Sequence, residues 1–522
     1  MDSRKVYVTR VALTVALGGF LMGFDASVIS GVVRFIEPEF GLSKLQLGWA
    51  VGSLTLTSTL GMLIAGPLSD RFSRRSILKL AAVLFAFSAI ASALAQTFWF
   101  LVIARMLGGF GVGFALIIPP MYIGEIAPPK IRGRLVSFNQ LNIVVGISAA
   151  FFTNYLILQW AQSDFGWVQT LMMDEHTWRW MLGLETLPAL AYFIGLYFVP
   201  QSPRWQIMMG NREDGENTLT QIVGPDIAKK QVKEILQNLE ADKEKEKVSI
   251  KEIFHPYLRY VLLIGVTLAI LQQITGINAV FFYAPVIFEQ SGIGTDASFM
   301  QAVLVGLTNL VFTVFAILLI DKLGRKPLLI GGLTGITLMM MLLAYGFNSA
   351  TYQLNEESIQ TIEAPINLDL LSANMANVTY EDDVQFRAAL TETLGPDAAV
   401  EFESQIITAA IDINPRLILF AILGFVASFA ISLGPVMWVM FSELFPLRVK
   451  GFAISFAGFI NSGISFLVQL VFPWELATLG NSMTFLIYGV FAAVGLFFVW
   501  KFVPETKNKS LEELEDQLVS KS

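Results

Sequence analysis

The most constraining feature of this sequence is a series of long apolar blocks, each long enough to cross a lipid bilayer. A membrane-spanning helix needs about 20 consecutive, mainly apolar residues, and we find twelve such blocks in the 522-residue chain. Only 15% of the residues are charged, whereas soluble domains carry about 25%. We therefore expect an all-α membrane protein. The predicted spans lie near residues 8–33, 48–66, 77–95, 98–123, 136–160, 180–199, 257–289, 299–320, 328–347, 415–442, 450–473 and 481–503.

The positions of Lys and Arg predict the orientation of these spans, because basic connections remain on the cytoplasmic side. Alternate connections near 95–98 and 289–298 contain no Lys or Arg. We therefore expect both termini in the cytoplasm and a multi-pass protein of the cell membrane, which in a bacterium is the inner membrane. The basic connections are residues 71–75, 130–134, 322–326 and 448–450.

The sequence also repeats itself. Residues 125–133 and 443–451 share Glu, Pro, basic residues and Gly at identical spacing, and residues 70–75 resemble 321–326. The spacing between the two motifs differs between the copies by about the length of segment 348–414. This segment therefore looks like an insertion into one of two similar six-span halves. Secondary transporters are often built from two such repeated halves.

The repeat divides the chain into four parts. The predicted parts are a first six-helix half (1–200), a cytoplasmic helical linker (201–255), a second half (256–503) and a cytoplasmic tail (504–522). The insertion faces outward and carries twelve acids against one base. Because residues 385–411 are rich in helix-forming types, we expect a small helical cap, with a disordered acidic loop as the alternative.

The repeated motifs place acids and bases at the ends of adjacent spans. They could form ion pairs across the two halves that hold the cytoplasmic side shut. Exposed ion pairs contribute only about 0–1 kcal/mol each, so a network would be needed. The alternative is simple anchoring of the spans by positive charge. The predicted latch residues are Asp70, Arg71, Arg75, Glu125, Arg132, Asp321, Arg325 and Glu443.

Charged residues inside the apolar spans are few, and each is costly in lipid. Asp25 and Arg105 lie in the middle of the first and fourth spans. A carboxylate beside a guanidinium is charged, and it can take a proton when the two separate. The pair could therefore couple transport to protons, or it could be a static structural pair. We expect Glu185, nearer the outer face, to pack against backbone donors or neighbouring helices.

Amides inside apolar spans form a second group of candidates. Amides can donate and accept hydrogen bonds at once, as the hydroxyl groups of a polar, uncharged ligand require, and an aromatic ring suits an apolar face of such a ligand. A lone amide usually joins helices instead. Gly276 and Pro285 should interrupt the seventh span beside some of these residues, with 281–285 as an outer gate. The candidates are Gln140, Gln272, Gln273, Asn278, Asn309, Trp438 and Asn461.

Several other functions are disfavoured. The chain has no Cys and two His, which excludes thiol chemistry and argues against a metal centre. Glycines 108–113 lie inside a span without a preceding strand, so they predict close helix packing rather than a nucleotide loop. No Gly-Lys-Ser/Thr phosphate loop is present, which argues against an ATP-driven pump. We expect no cofactor, no enzymatic activity and, at a net charge of −7, no nucleic-acid partner.

The motifs together resemble those of the sugar porter family of the major facilitator superfamily. The resemblance is closest to bacterial proton-coupled pentose and hexose symporters, and it covers nearly the whole chain apart from 348–414. It implies twelve helices in two pseudo-symmetric halves. The matching segments are 66–75, 132–134, 199–205, 272–278, 434–438 and 503–507.

The resemblance also implies roles for individual residues. Asp25 matches an Asp of the proton-coupled members, where many uniporters carry Asn. Ser73 stands where the family usually has Gly, and Gln201 where it usually has Glu, which weakens the predicted latch. The residues that match family sugar contacts directly are Gln140, Gln272, Gln273, Asn278 and Trp438, whereas Asn309 and Asn461 match less directly.

We therefore expect a monomeric proton:monosaccharide symporter that works by alternating access. The alternatives are a sugar facilitator of the same fold, in which Asp25 is only structural, and a sensor that binds sugar without moving it. The short segment after Val503 disfavours the sensor, and the amide set disfavours a drug antiporter. We also expect that replacing 348–414 by a short linker preserves sugar-specific transport.

Overall fold

The computed structural model describes residues 3–244, 255, 258–362, 364–446, 449–507, 509 and 513. The predictions for Arg448, for residues 245–252 of the linker and for most of the tail lie outside this part of the chain.

Long apolar helices account for all twelve predicted spans within the described residues. Eleven helices are long and apolar enough to cross a membrane. The last of them is divided at Gly480, whose φ of 78° interrupts the helical geometry, so it supplies two spans. The helices that form the spans are Ser3–Glu39, Lys44–Phe72, Arg74–Ala93, Phe98–Ile126, Pro129–Ala161, Thr177–Gly183 with Thr186–Gly195 and the 3-10 turn Leu196–Phe198, Arg259–Ile274 with Ile277–Glu289, Thr295–Leu323, Arg325–Asn348, Pro415–Ile431 with Leu433–Leu444, and Lys450–Phe502.

The seventh span is broken where the sequence predicted. Gly276 separates its two helices with a left-handed φ of 90°, a conformation that glycine adopts without steric cost. A Cβ atom at this position would also lie 2.4 Å from the Tyr488 ring. Tyr283 departs from helical geometry just before Pro285. Broken helices are tolerated in a membrane where they line a cavity or are buried in protein.

The glycine run in the fourth span permits close packing, as predicted. A Cβ atom at Gly109 would lie 2.0 Å from Thr57 Oγ1 and 2.4 Å from the Leu54 carbonyl oxygen. A Cβ atom at Gly113 would lie 2.4 Å from the Ser58 carbonyl oxygen. The second and fourth spans therefore approach each other at a distance that only glycine allows.

Short helices lie outside the spans in the first 244 residues. Two of them form a helix pair within the predicted helical linker; the pair meets at Gly224 with a φ of 91° and packs through Leu219, Ala228 and Val232. These helices are Gly166–Thr170, Pro203–Met208, Arg212–Val223 and Pro225–Glu244.

The insertion folds as a compact α/β subdomain, not as the purely helical cap or the disordered loop expected from the sequence. Its three antiparallel strands, β1 (Thr351–Gln353), β2 (Thr379–Tyr380) and β3 (Ile411–Asp412), have the order β2-β1-β3. The first and last strands pair with each other, which brings the two ends of the insertion together. The helices are Glu356–Gln360, Leu368–Met375, Asp383–Leu394, Pro396–Glu401 and Glu403–Ala410.

The strands could not be read from the sequence because they are only two or three residues long. The predicted helical content of 385–411 is confirmed as far as Ala410, with Gly395 and Phe402 between the three helices. The subdomain has its own apolar core, in which Tyr352 stacks on Phe386 with ring centroids 5.3 Å apart.

The chain forms two compact units. The first consists of Met1–Ala26, Ser53–Ala150 and Arg179–Ser249, and the second of Ser27–Gly52, Phe151–Trp178 and Ile250–Ser522.

Within the second unit, parts of the first, second and fifth spans pack with residues of the second sequence half. The Trp49 ring lies 5.4 Å from the Phe466 ring, and a Cβ atom at Gly48 would lie 2.0 Å from the Leu470 carbonyl oxygen. The division of the chain at residue 200 rests on the sequence repeat and stays a prediction.

We predict that Gly109→Ala destabilises the protein, because the added methyl group meets the second span. Overpacking of this kind costs about 1–3 kcal/mol. Gly124→Ala on the same helix is the matched control, since its added Cβ would meet nothing within 4 Å. Thermal unfolding of the purified protein in detergent should show a lower midpoint for Gly109→Ala alone. Equal midpoints for the two variants would contradict the close packing.

Candidate functional site

A buried ion pair joins the first and fourth spans. Arg105 Nη1 lies 3.6 Å from Asp25 Oδ1, and Nη2 lies 3.5 Å from the Asp25 carbonyl oxygen. Both side chains are almost completely buried, with 1% and 2% of their surface exposed. A Cβ atom at Gly108 would lie 2.9 Å from Asp25 Oδ2, so this glycine leaves room for the carboxylate. The predicted partnership of Asp25 and Arg105 is therefore present.

Glu185 lies close to this buried pair, and the expectation that it packs against backbone donors or neighbouring helices stays a prediction. It lies at the break in the sixth span and is 2% exposed. It is close enough to Asp25 and Arg105 for their charges to interact. Asp25 Oδ2 and Glu185 Oε1 have no hydrogen-bond partner among the described residues. The sequence analysis did not include Glu185 among the proton-coupling candidates because it lies nearer the outer face.

The second candidate site is a cluster of amides that the broken seventh span shares with the tenth and eleventh spans. Asn461 Nδ2 donates to Gln272 Oε1 at 2.8 Å and to the Ala269 carbonyl oxygen at 2.8 Å. Gln273 Nε2 donates to Asn461 Oδ1 at 3.1 Å. Gln272 Nε2 donates to the Leu433 carbonyl oxygen at 3.0 Å. The three amides therefore form one hydrogen-bonded network.

The break at Gly276 brings Asn278 into this network. Asn278 Nδ2 donates to Gln273 Oε1 at 2.8 Å and to Ser465 Oγ at 2.6 Å. Gln469 Nε2 donates to the same Ser465 hydroxyl at 2.8 Å. Ser465 and Gln469 were missed by sequence reasoning, although they stand four and eight residues after Asn461 and therefore on the same face of the helix.

The remaining sugar-site candidates have different surroundings. Asn309 is buried, with 5% of its surface exposed. Trp438 is 41% exposed, and its ring meets the edge of Phe441 at 5.7 Å. Gln140 is exposed and lies in the first compact unit.

The repeated motif of the first half forms an ion-pair cluster around Arg74. Arg74 lies 2.8 Å from Asp70 Oδ1 and 3.0 Å from Glu125 Oε1. The Ser202 hydroxyl donates to the other oxygen of Glu125. These contacts join the ends of the second, third and fourth spans.

The second half repeats this arrangement. Arg325 Nη2 lies 3.2 Å from Asp321 Oδ1 and 2.8 Å from Glu443 Oε1. The Thr506 hydroxyl donates to Glu443 Oε2 at 2.5 Å. Each cluster lies within one sequence half, and ion pairing across the halves stays a prediction.

Three predicted latch bases have other contacts. The Arg71 guanidinium lies 5.3 Å from the Phe72 ring. Arg75 donates to the carbonyl oxygens of Leu196 and Tyr197, and Arg132 donates to the Ala127 carbonyl oxygen at 3.3 Å. Arg74, which the sequence analysis left out, is the base that pairs with the acids. Its alignment with Arg325 in the repeat is the signal that could have found it.

The starts of the third and ninth spans are capped by different residues. In the second half, Glu505 accepts from the backbone N–H groups of Arg325 and Lys326 at 3.1 and 3.0 Å and so caps the ninth span. In the first half, the Ser73 hydroxyl accepts from the Ser76 N–H at 3.2 Å and caps the third span. Gln201 does not take over this role, since its Oε1 has no partner among the described residues.

Comparison with known proteins agrees with the fold. The family model described as "Sugar (and other) transporter" matches residues 11–363 and 403–518. An arabinose-proton symporter of Bacillus subtilis is 35% identical, over 98% of this chain and 94% of its own length. A D-xylose-proton symporter of Escherichia coli K12 is also 35% identical, over 98% and 95%.

A solved structure gives the same picture. The inward-open conformation of the xylose transporter XylE from E. coli is 33% identical and has a TM-score of 0.73, and the match covers 98% of this chain and all of that chain. The chain therefore belongs to the sugar transporter family and is a multi-pass membrane protein with the major facilitator fold.

Proposed function

We propose that this protein is a proton:monosaccharide symporter that works by alternating access. The observation that carries the proposal is the buried pair of Asp25 and Arg105, in which one carboxylate oxygen has no hydrogen-bond partner among the described residues. The similarity to symporters named for arabinose and for xylose supports the same function. The substrate class is a pentose or a hexose.

The coupling step depends on how an apolar environment treats a carboxylate. A nearby cation favours the charged form, whereas burial without a cation favours the protonated form. Asp25 therefore stays charged while it contacts Arg105 and takes a proton when the fourth span moves away from the first. Protonation of Asp25 is thus coupled to the separation of the first and fourth spans.

The sugar site is the amide cluster together with the ring of Trp438. The amides now satisfy one another. A sugar hydroxyl both donates and accepts, so it can replace an amide–amide hydrogen bond without leaving a buried polar group unpaired. Trp438 offers a half-exposed ring for the apolar face of the sugar. Asn309 is a further contact that the family resemblance supports, and Gln140 stays a candidate by the same resemblance.

The basic connections support an orientation with both termini in the cytoplasm. The clusters around Arg74 and Arg325 then lie on the cytoplasmic side, and the insertion lies outside. The protein is proposed to act as a monomer, because each chain carries both a coupling pair and an amide cluster.

The main alternative is a sugar facilitator of the same fold. A static structural pair would also place Arg105 3.6 Å from Asp25, so geometry alone does not distinguish the two functions. The test is uptake of a labelled sugar panel into proteoliposomes, with and without an inward proton gradient. A symporter concentrates one sugar only when the gradient is present. Gradient-independent equilibration of the sugar would establish the facilitator instead.

We predict that Asp25→Asn abolishes proton-driven sugar accumulation but leaves sugar exchange largely intact. The amide keeps the shape of the side chain and cannot release a proton. The matched control is Asp296→Asn, which removes an exposed acid near the start of the eighth span and should accumulate sugar normally. Uphill uptake retained by Asp25→Asn would exclude Asp25 as the coupling residue.

We predict that Gln272→Ala or Trp438→Ala weakens sugar binding more than folding. Loss of one buried ligand contact costs about 1–3 kcal/mol, or about 5- to 150-fold in affinity. Asn154→Ala is the contrasting variant, since Asn154 joins helices by donating to the Val28 carbonyl oxygen at 2.9 Å. It should lower thermal stability without changing affinity. If calorimetry shows unchanged sugar affinity for Gln272→Ala and Trp438→Ala, these two residues contribute to packing and not to sugar binding.

A further inference from the structure

A second ion pair lies far along the first span from Asp25, at the end that the orientation places outside. Arg34 Nη1 bonds to Glu289 at the end of the seventh span and to Thr295 at the start of the eighth. The Arg34 side chain is 24% exposed and the Glu289 side chain 8%. Removing one partner of such a pair leaves an uncompensated charge, which is costly. The contact therefore holds the outer ends of these spans together.

The insertion adds a third partner to Arg34. Ser404 Oγ, at the start of helix Glu403–Ala410, lies 3.5 Å from Arg34 Nη1. The turn after the seventh span packs against the end of this helix, because a Cβ atom at Gly292 would lie 4.0 Å from Thr408 Cα in the helix and 2.3 Å from Cγ2 of Ile411, the residue that follows it. Ser404 therefore belongs to a helix that packs against the end of the seventh span.

Two further contacts fasten the insertion to the second half. Asn481 Nδ2 donates to Asp383 Oδ2 at 2.8 Å, and a Cβ atom at Gly480 would lie 2.6 Å from Asp383 Oδ1. Arg387 Nη1 donates to the Leu476 carbonyl oxygen at 3.2 Å. These residues belong to the junction between the eleventh and twelfth spans, so the insertion is fixed to spans of the second half at two places.

An ion pair within the insertion connects Arg387 to Glu403, the first residue of the helix that lies beside Arg34. Arg387 Nε lies 2.7 Å from Glu403 Oε1, and Nη1 lies 3.4 Å from Asp383 Oδ2. Burial alone would raise the pKa of Glu403, but the charges of Arg387 and Lys44 and a hydrogen bond from Arg387 hold it below its usual value. Glu403 is therefore charged at neutral pH and keeps its hold on Arg387.

The family model matches only part of the insertion. It leaves residues 364–402 unmatched, and these include Asp383 and Arg387. The connection from the twelfth span to Glu403 and the helix beside Arg34 therefore runs through two residues that the family model does not match.

We propose that Arg34 is an outer-gate residue of this transporter, beside the expected gate at 281–285, and that the insertion holds it in the closed position. The inference rests on the proposed alternating-access function. Opening toward the outside must separate the outer end of the first span from the seventh span and from Ser404. Contacts made only in the closed state shift the equilibrium toward that state. Weakening the clamp therefore populates the outward-open state.

The absence of native cysteines permits a direct test by distance measurement between spin labels. The labels are placed at Leu45→Cys near the start of the second span and Ser349→Cys after the ninth, both exposed. The full chain is measured in nanodiscs at neutral pH without sugar. Arg34→Gln and Glu403→Gln should increase the long-distance population at least threefold. Glu401→Gln, which removes an exposed acid from the neighbouring helix, should leave it unchanged.

A charge swap separates gating from simple loss of packing. Arg34→Glu should open the gate, and the double variant Arg34→Glu with Glu289→Arg should restore at least half of the closed population. Distance distributions identical to the parent in both Arg34→Gln and Glu403→Gln would overturn the clamp. The parent's sugar uptake is measured in parallel. Absence of uptake in the parent would count against the proposed function, whereas uptake with unchanged distances would count against the clamp alone.

Discussion

A lipid bilayer offers the peptide backbone no hydrogen-bond partner and gives a charge little solvation, and the rest of this structure follows from these two limits. The first limit requires helices throughout the spans and confines breaks such as Gly276 to places buried in protein. The second limit requires that Asp25 and Arg105 be buried together. The features that cost most in lipid, a broken helix and an ionisable pair, are the ones to which we assign sugar binding and proton coupling.

The two halves have the same ion-pair arrangement at the basic ends of their spans, but they cap the neighbouring helices with different residues. Each half places one arginine between two acids. One of these acids also accepts a hydrogen bond from a hydroxyl group: Glu125 from Ser202, and Glu443 from Thr506. The caps differ. Glu505 reaches the start of the ninth span past Gly324, where a Cβ atom would lie 2.7 Å from Glu505 Oε2. Ser73 has a side chain and caps the third span itself.

The sequence predicted the features that depend on local pattern. The spans follow from apolar length, the break at Gly276 from glycine chemistry, and the partnership of Asp25 with Arg105 from the scarcity of buried charge. Features that depend on long-range packing were missed. The choice of Arg74 over Arg75 depends on which side chain faces Glu125, and the pairing of Arg34 with Glu289 joins residues more than 250 positions apart. The strands of the insertion are too short to leave a pattern.

The central claim is that sugar and proton move together. The most direct measurement follows the internal pH of proteoliposomes that contain a trapped pH-sensitive dye, after sugar is added outside without any imposed gradient. Coupled entry of sugar and proton predicts that the lumen becomes acidic when the transported sugar is added, and that it does not with a sugar that is not transported. Sugar entry at a normal rate without any change in internal pH would contradict the account.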